Sequence, residues 1–154
     1  MHDARLTELG ITLPGPFPPH DPLDAVVIHA GTARTSGCLP RDAEGSFQIG
    51  IVGRDLTALE AAECAGLCAQ NAVSLLRAAL GSLDRVHRVL TMTVFVACSD
   101  DFVEQPSVAD GASRVLTDIF GDAGRHTRSA IGVAALPRGA PVEVEVTVAL
   151  VEED

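Results

Sequence analysis

The sequence predicts an α+β domain with two helices packed on one face of a mixed β-sheet, and three observations carry that prediction. Thr57-Ala58-Leu59-Glu60 is a capping box: the threonine hydroxyl can accept from the third helical amide while the glutamate reaches back to the cap. It opens an alanine- and leucine-rich run that stops at Gly81, a residue free to take the left-handed conformation of a helix end. Val86 to Ala97 alternates with apolar residues on both faces, as a strand covered on both sides does. The last run has a clean period of two, with Val142, Val144, Val146, Val148 and Leu150 against Glu143, Glu145, Thr147 and Ala149.

The remaining elements follow in chain order. Residues 1–24 read as an extended, proline-rich lead-in, because 11–24 hold most of the prolines and can be neither helix nor central strand. Val26 to His29 and Thr32 to Ser36, split by Gly31, read as a short hairpin or bent strand, and Phe47 to Val52 as a further short strand. A second helix is expected over 107–120, with Val108, Ala112, Val115, Leu116 and Ile119 as its apolar stripe and Gly121 as its stop. Ser129 to Leu136 and Val142 to Val151 are expected to pair as a terminal hairpin about the Pro137–Pro141 turn. The predicted order is β-β-β-α-β-α-β-β, in one domain over residues 1–154.

Composition narrows the function classes. No apolar run reaches the about 18 residues of a membrane span. The N-terminus has no basic region followed by an apolar core, so a cytoplasmic protein is the expectation. The formal charge is −10 and all eleven basic residues are arginines scattered along the chain. Such a chain repels phosphate backbones, and no nucleic-acid partner is expected. The four cysteines lack metal-ligand spacing; Cys64 and Cys68 share a helix face with Ala72, Leu75 and Ala79 and read as small packing residues. Neither a metal nor a disulfide is expected. Nothing matches a phosphate-binding loop, a dinucleotide fingerprint or a nucleophile elbow.

The terminal hairpin holds the first candidate site. Arg128 stands at the mouth of its first run and Glu143 at the start of its second. If the runs pair, a guanidinium and a carboxylate meet at one end of a sheet, an arrangement that could hold a small anion beside a proton-transfer group. Val89 and Phe95 are apolar on the opposite face of the central strand, which predicts a partner subunit over the uncovered side of the sheet.

Several local sequences resemble one known family. Ser36-Gly37-Cys38-Leu39-Pro40 is similar to the Ser-Gly-Gln-(Ile/Leu)-Pro of the Rid (YjgF-like) enamine/imine deaminases. Leu83-Asp84-Arg85-Val86, leading into Thr93-Val94-Phe95-Val96, resembles that family's helix-to-strand passage. Arg128-Ser129 followed by Val133-Ala134-Ala135-Leu136-Pro137 and Val142-Glu143-Val144-Glu145 resembles its C-terminal signature. The segment from Gly121 to Val133 is closer to a divergent bacterial branch that often carries the label endoribonuclease or translation inhibitor.

The resemblance implies a chorismate-mutase-like fold, assembly as a homotrimer, and ligand clefts between neighbouring subunits. It implies a 2-imino or 2-enamino acid as substrate, a 2-oxo acid and ammonia as products, and no cofactor. Arg128 matches the carboxylate-binding arginine and Glu143 the glutamate that handles the attacking water. Ser36, Gly37, Cys38 and Ala130 match positions around the imine. Cys38 stands where the family has glutamine. Phe17 or Leu23 stands for its lead-in aromatic, and Asp110 or Gly111 for an asparagine in its second helix. A non-catalytic carboxylate-binding trimer is the alternative, and an endoribonuclease the third reading. Two residues have other readings from sequence alone: Cys38 as an activated thiol or an inert one, and His126 as a catalytic aid or a loop residue.

Overall fold

A computed structural model describes residues 1–152 as a five-stranded mixed sheet with helices on one face. The elements are α1 (His2–Glu8), β1 (Val26–His29), β2 (Thr32–Thr35), α2 (Ala58–Leu80), β3 (Val86–Ala97), α3 (Gln105–Phe120), β4 (Thr127–Val133) and β5 (Val142–Leu150). The strand order is β1-β2-β5-β3-β4, with β3 and β4 parallel and the other neighbours antiparallel. Among the described residues no helix is long and apolar enough to cross a membrane.

The capping box forms as its residues require. Glu60 N–H donates to Thr57 Oγ1 at 3.2 Å, and Thr57 N–H donates to Glu60 Oε2 at 2.8 Å. Gly81 closes α2 at φ 80°. Along α2 the small residues Ala61, Cys64, Ala65, Cys68, Ala69 and Ala72 are buried, so the two thiols are packing atoms. They let α3 come close: a methyl group added at Gly111 would strike the carbonyl of Ala62, its carbon 2.7 Å away. Helix α2 lies over β5, and α3 over β3 and β4. The core between them is made by Val142, Val144, Val146 and Val148 with Met92, Val94, Leu76 and Leu116.

Four expectations change. Residues 2–8, read as extended, are helical, and α1 is clipped to the α2 end. Asp3 accepts from Arg77 Nε at 2.8 Å, from Ser82 Oγ at 2.5 Å and from the Leu83 amide at 3.0 Å. Seven residues with one buried side chain, Leu6, cannot hold a helix alone, so tertiary bonds decide it. No strand forms over 47–52; Val52 makes only isolated bridges to Leu56 and Cys98.

The terminal hairpin does not form either. Strand β3 lies between β4 and β5 and bonds to both. The reason is the β3–α3–β4 unit, whose crossover helix sets β4 parallel to β3. The chain then passes the end of β3, where Ala97 N–H donates to Pro141 O at 2.9 Å, and β5 returns antiparallel on its other side. Finally, the register of β3 against β5 shifts between Val86 and Arg88 and again between Val89 and Thr91. These bulges turn Val89 into the core and leave Arg88 and Leu90 exposed, so Val89 does not belong to the uncovered face.

Candidate functional site

Register decides where each candidate side chain goes. Met92, Arg128 and Val146 are neighbours across β3, β4 and β5, and so are Phe95, Ile131 and Glu143. Residues in register share a face of the sheet. Met92 and Val146 are buried under the helices, so Arg128 is on the helix side. Glu143 lies on the uncovered side with Phe95 and Ile131. Within one chain the cation and the carboxylate therefore face opposite ways, and they do not meet as the hairpin reading expected.

Arg128 is held by α3. Its Nη1 donates to Asp110 Oδ1 at 2.8 Å and to Ser113 Oγ at 3.1 Å, and its Nη2 to the Pro106 carbonyl at 3.3 Å. Ser113 is fixed in turn by His126, with Nε2 3.0 Å from Oγ. The other ring nitrogen, Nδ1, lies 2.5 Å from the carbonyl of Gly124. A carbonyl only accepts, so Nδ1 carries the hydrogen, and in the neutral ring Nε2 accepts from the serine hydroxyl. Ser113 can then accept from Arg128 while donating to His126. Both Nη1 hydrogens are engaged, which leaves Nε and the second Nη2 hydrogen for a ligand. The arginine side chain is 22% exposed and β4 is an edge strand, so that side is reachable. Of the two positions matched to the family's asparagine, Asp110 is the one that meets the arginine. Gly111 serves the helix contact.

Glu143 sits in the second cluster. A methyl group at Gly37 would collide with Glu143 Oε1 and lie 2.8 Å from its Cδ, so only glycine admits the carboxylate there. Burial, and then the charge of Glu145, push the Glu143 carboxyl above its ordinary 4.5. Glu145 itself pairs with Arg34 at 3.1 Å. Ser36 Oγ donates to the Asp24 carbonyl at 2.6 Å, tying this turn to the lead-in. Cys38 continues the sheet: its N–H donates to Val144 O at 2.8 Å, and Val144 N–H returns the bond at 3.0 Å.

The Cys38 thiol is buried and pushed up to about 12 by desolvation and then by Glu143. That removes the activated-thiol reading and leaves an inert packing residue. Ala130 shares the helix face with Arg128 and packs against the core. Phe17 lies over the Arg41 guanidinium, and Leu23 is exposed. Thus Ser36, Gly37, Cys38 and Glu143 form one cluster, and Arg128 and Ala130 belong to another. Ser113 was not foreseen. Its three-residue spacing from Asp110 on a helix was the available signal. His126 is a loop residue that steadies Ser113. No group of His, Cys, Asp and Glu among the described residues could hold a metal.

Comparison with known proteins places this geometry in a family. Residues 3–147 match the family described as "YjgF/chorismate_mutase-like, putative endoribonuclease". A protein of Trypanosoma cruzi, TCP17, is 44% identical over 148 residues, covering 96% of this chain and 92% of that protein. A crystal structure of a protein of unknown function from Agrobacterium tumefaciens is 37% identical, with 98% of this chain and 94% of that one covered and a TM-score of 0.89. Another, named a "putative endoribonuclease", from Shewanella oneidensis, is 27% identical, with 97% and 99% covered and a TM-score of 0.93. The mixed five-stranded sheet with its helices is thus a known fold, and the chain belongs to the YjgF/chorismate-mutase-like family.

Proposed function

We propose that the protein hydrolyses 2-imino or 2-enamino acids to 2-oxo acids and ammonia in clefts between the subunits of a homotrimer. The observation that carries this reading is the placement of Arg128 and Glu143 on opposite faces of one sheet. Two groups so placed can act on one ligand only when a second copy brings its Glu143 face to the Arg128 edge. The exposed Ile131 and half-buried Phe95 around Glu143 suit such a contact.

In the cleft the substrate carboxylate takes the free edge of Arg128, a charge-assisted contact that a planar guanidinium makes in two parallel bonds. The neighbour's Glu143 accepts a proton from water as the water oxygen adds to the imine carbon. It passes that proton to nitrogen to give a carbinolamine, and the hydroxyl proton then moves through the same carboxylate to nitrogen as the carbon–nitrogen bond breaks, releasing ammonia and the 2-oxo acid. A carboxyl held above its ordinary range is suited to this exchange, and such help contributes about 10²–10⁴-fold. No step calls for a metal or an organic cofactor.

The test uses 2-iminobutyrate generated in situ by an amino-acid oxidase. The wild type should shorten the imine lifetime, and Arg128→Ala should abolish both that effect and 2-oxobutyrate binding. An unchanged imine lifetime with intact 2-oxobutyrate binding would replace the enzyme with a carboxylate-binding protein. That second reading draws on Cys38, an inert thiol where the deaminases have an amide. RNA cleavage that survives Arg128→Ala would return the name carried by the Shewanella oneidensis relative, against the repulsion expected from a charge of −10.

A further inference from the structure

A cleft of about 490 Å³ lies between α1, residues 11–16 and the C-terminal half of α2. None of Ser36, Gly37, Cys38, Arg128, Ala130 or Glu143 lines it. Leu6, Ile11, Leu13 and Ala78 give it apolar walls. Its α2 wall is Ser74, Arg77 and Ala78, which share a helix face because the last two stand three and four residues after the first.

Ser74 marks this cleft as more than a gap between helices. Only 6% of the residue is exposed, yet its hydroxyl has no hydrogen bond among the described residues. A hydroxyl inside a helix commonly gives its hydrogen to the carbonyl one turn back, as Thr117 Oγ1 does to Ser113 O at 3.2 Å in α3. Ser74 does not, and its oxygen opens on the cleft rather than being sealed in the core. A buried hydroxyl left unpaired costs stability, so folding does not account for it. The hydroxyls of Thr7 and Thr12, also on the cleft, have no partner among the described residues either.

Asp3 and Arg77 are the charged residues of the lining, and each cancels the other. Arg77 Nε donates to Asp3 Oδ1 at 2.8 Å, and the bonds from Ser82 and Leu83 occupy Oδ2. Both Nη groups of Arg77 are without a partner among the described residues. The cleft therefore offers N–H donors and hydroxyls, with no free carboxylate and no net charge. A cation finds no counter-ion there, and an anion meets a neutralised arginine on a chain of charge −10.

We infer that this cleft binds a small uncharged molecule with an aliphatic body and a carbonyl oxygen: an amide, ester or lactone. The body lies against Leu6, Leu13 and Ala78, and the oxygen accepts from Ser74 and Arg77. The volume lies in the range of small-molecule sites, and few polar groups on apolar walls is their usual composition. The site is independent of the reading at Arg128 and Glu143, and the two can fail separately.

The experiment titrates N-butylacetamide into the full-length wild type, Ser74→Ala, Ala78→Leu and Arg128→Ala by calorimetry, with amide chemical shifts recorded on the wild type. Saturable binding is expected, with shifts at Leu6, Leu13 and Ser74. Ser74→Ala should weaken it about fivefold, the loss of one hydrogen bond, without lowering Tm, because that hydroxyl bonds nothing in the protein. Ala78→Leu should weaken it about tenfold or more by filling the cleft. Ala78 is exposed and leucine is a strong helix former, so this variant should melt near the wild-type temperature and its loss of binding cannot be assigned to misfolding. Arg128→Ala should leave the affinity unchanged. Absence of saturable binding, unchanged affinity in either α2 variant, or loss only in Arg128→Ala would overturn the inference. So would pentanoate binding as tightly as the amide, since the cleft would then select a charge rather than a carbonyl.

Discussion

Asp110 sets how strongly Arg128 can attract an anion, and Asp110→Asn should show it. Asparagine keeps an oxygen for Nη1, so the bonds to α3 that orient the guanidinium survive and only the charge is removed. A ligand carboxylate on the free edge of Arg128 sits across the guanidinium from the Asp110 carboxylate, about 7 Å away by ordinary hydrogen-bond lengths. Two like charges at that separation repel by about 2 kcal/mol at an effective dielectric of about 20. The Asp110 side chain is 50% exposed, which halves this to about 1 kcal/mol. The variant should therefore bind 2-oxobutyrate about fivefold more tightly. Calorimetry at fixed ionic strength measures it, and the gain should shrink as salt rises. Equal or weaker binding would mean that the anion does not approach the free edge of Arg128.

Three further outcomes follow from the same geometry. Gly37→Ala drives a methyl group into Glu143, so it should reduce imine hydrolysis strongly and lower Tm, while the smaller Cys38→Ala change leaves hydrolysis near wild type. Asp3 bears on acid stability: burial raises its pKa, but bonds from Ser82 and Leu83 and the charge of Arg77 outweigh it and hold the group below 3.8. A lowered carboxyl stabilises the fold above its ordinary pKa and loses that contribution as pH falls through its folded value. Asp3→Asn should accordingly lower Tm by about 2–4 °C at pH 7, with the gap to wild type closing in acid. The Cys38 thiol, pushed up to about 12, should resist iodoacetamide in the native protein at pH 8 and react once the chain is unfolded.

Local signals were legible where the chain decides its own conformation. The Thr57 capping box, the Gly81 stop, the 86–97 strand and the alternation of β5 each rest on neighbours a few residues apart, and each forms as read. What was not legible depends on distant partners. Helix α1 exists through Asp3 and its bonds to the α2 end, and the bulges of β3 arise only against β5. The insertion of β3 between β4 and β5 is a topological fact that two strand-like runs and a Pro/Gly turn cannot report. The site followed the same rule. Arg128 and Glu143 could be picked out, but their opposite facing depends on that insertion. The bonds from Ser113 to Arg128 and His126 needed the tertiary structure.

The split of the site between two chains can be measured by complementation. Arg128→Ala and Glu143→Gln, each expected to be inactive alone, are co-expressed and their mixed oligomers assayed for 2-iminobutyrate hydrolysis. Where the clefts lie between copies, about one in four in a random equal mixture combines an intact Arg128 from one chain with an intact Glu143 from another. Recovery of about a quarter of the wild-type rate is the expected result. A mixture as inactive as its parents, beside an active wild type, would mean that both groups act from the same chain, and would contradict a cleft shared between opposite faces of two sheets.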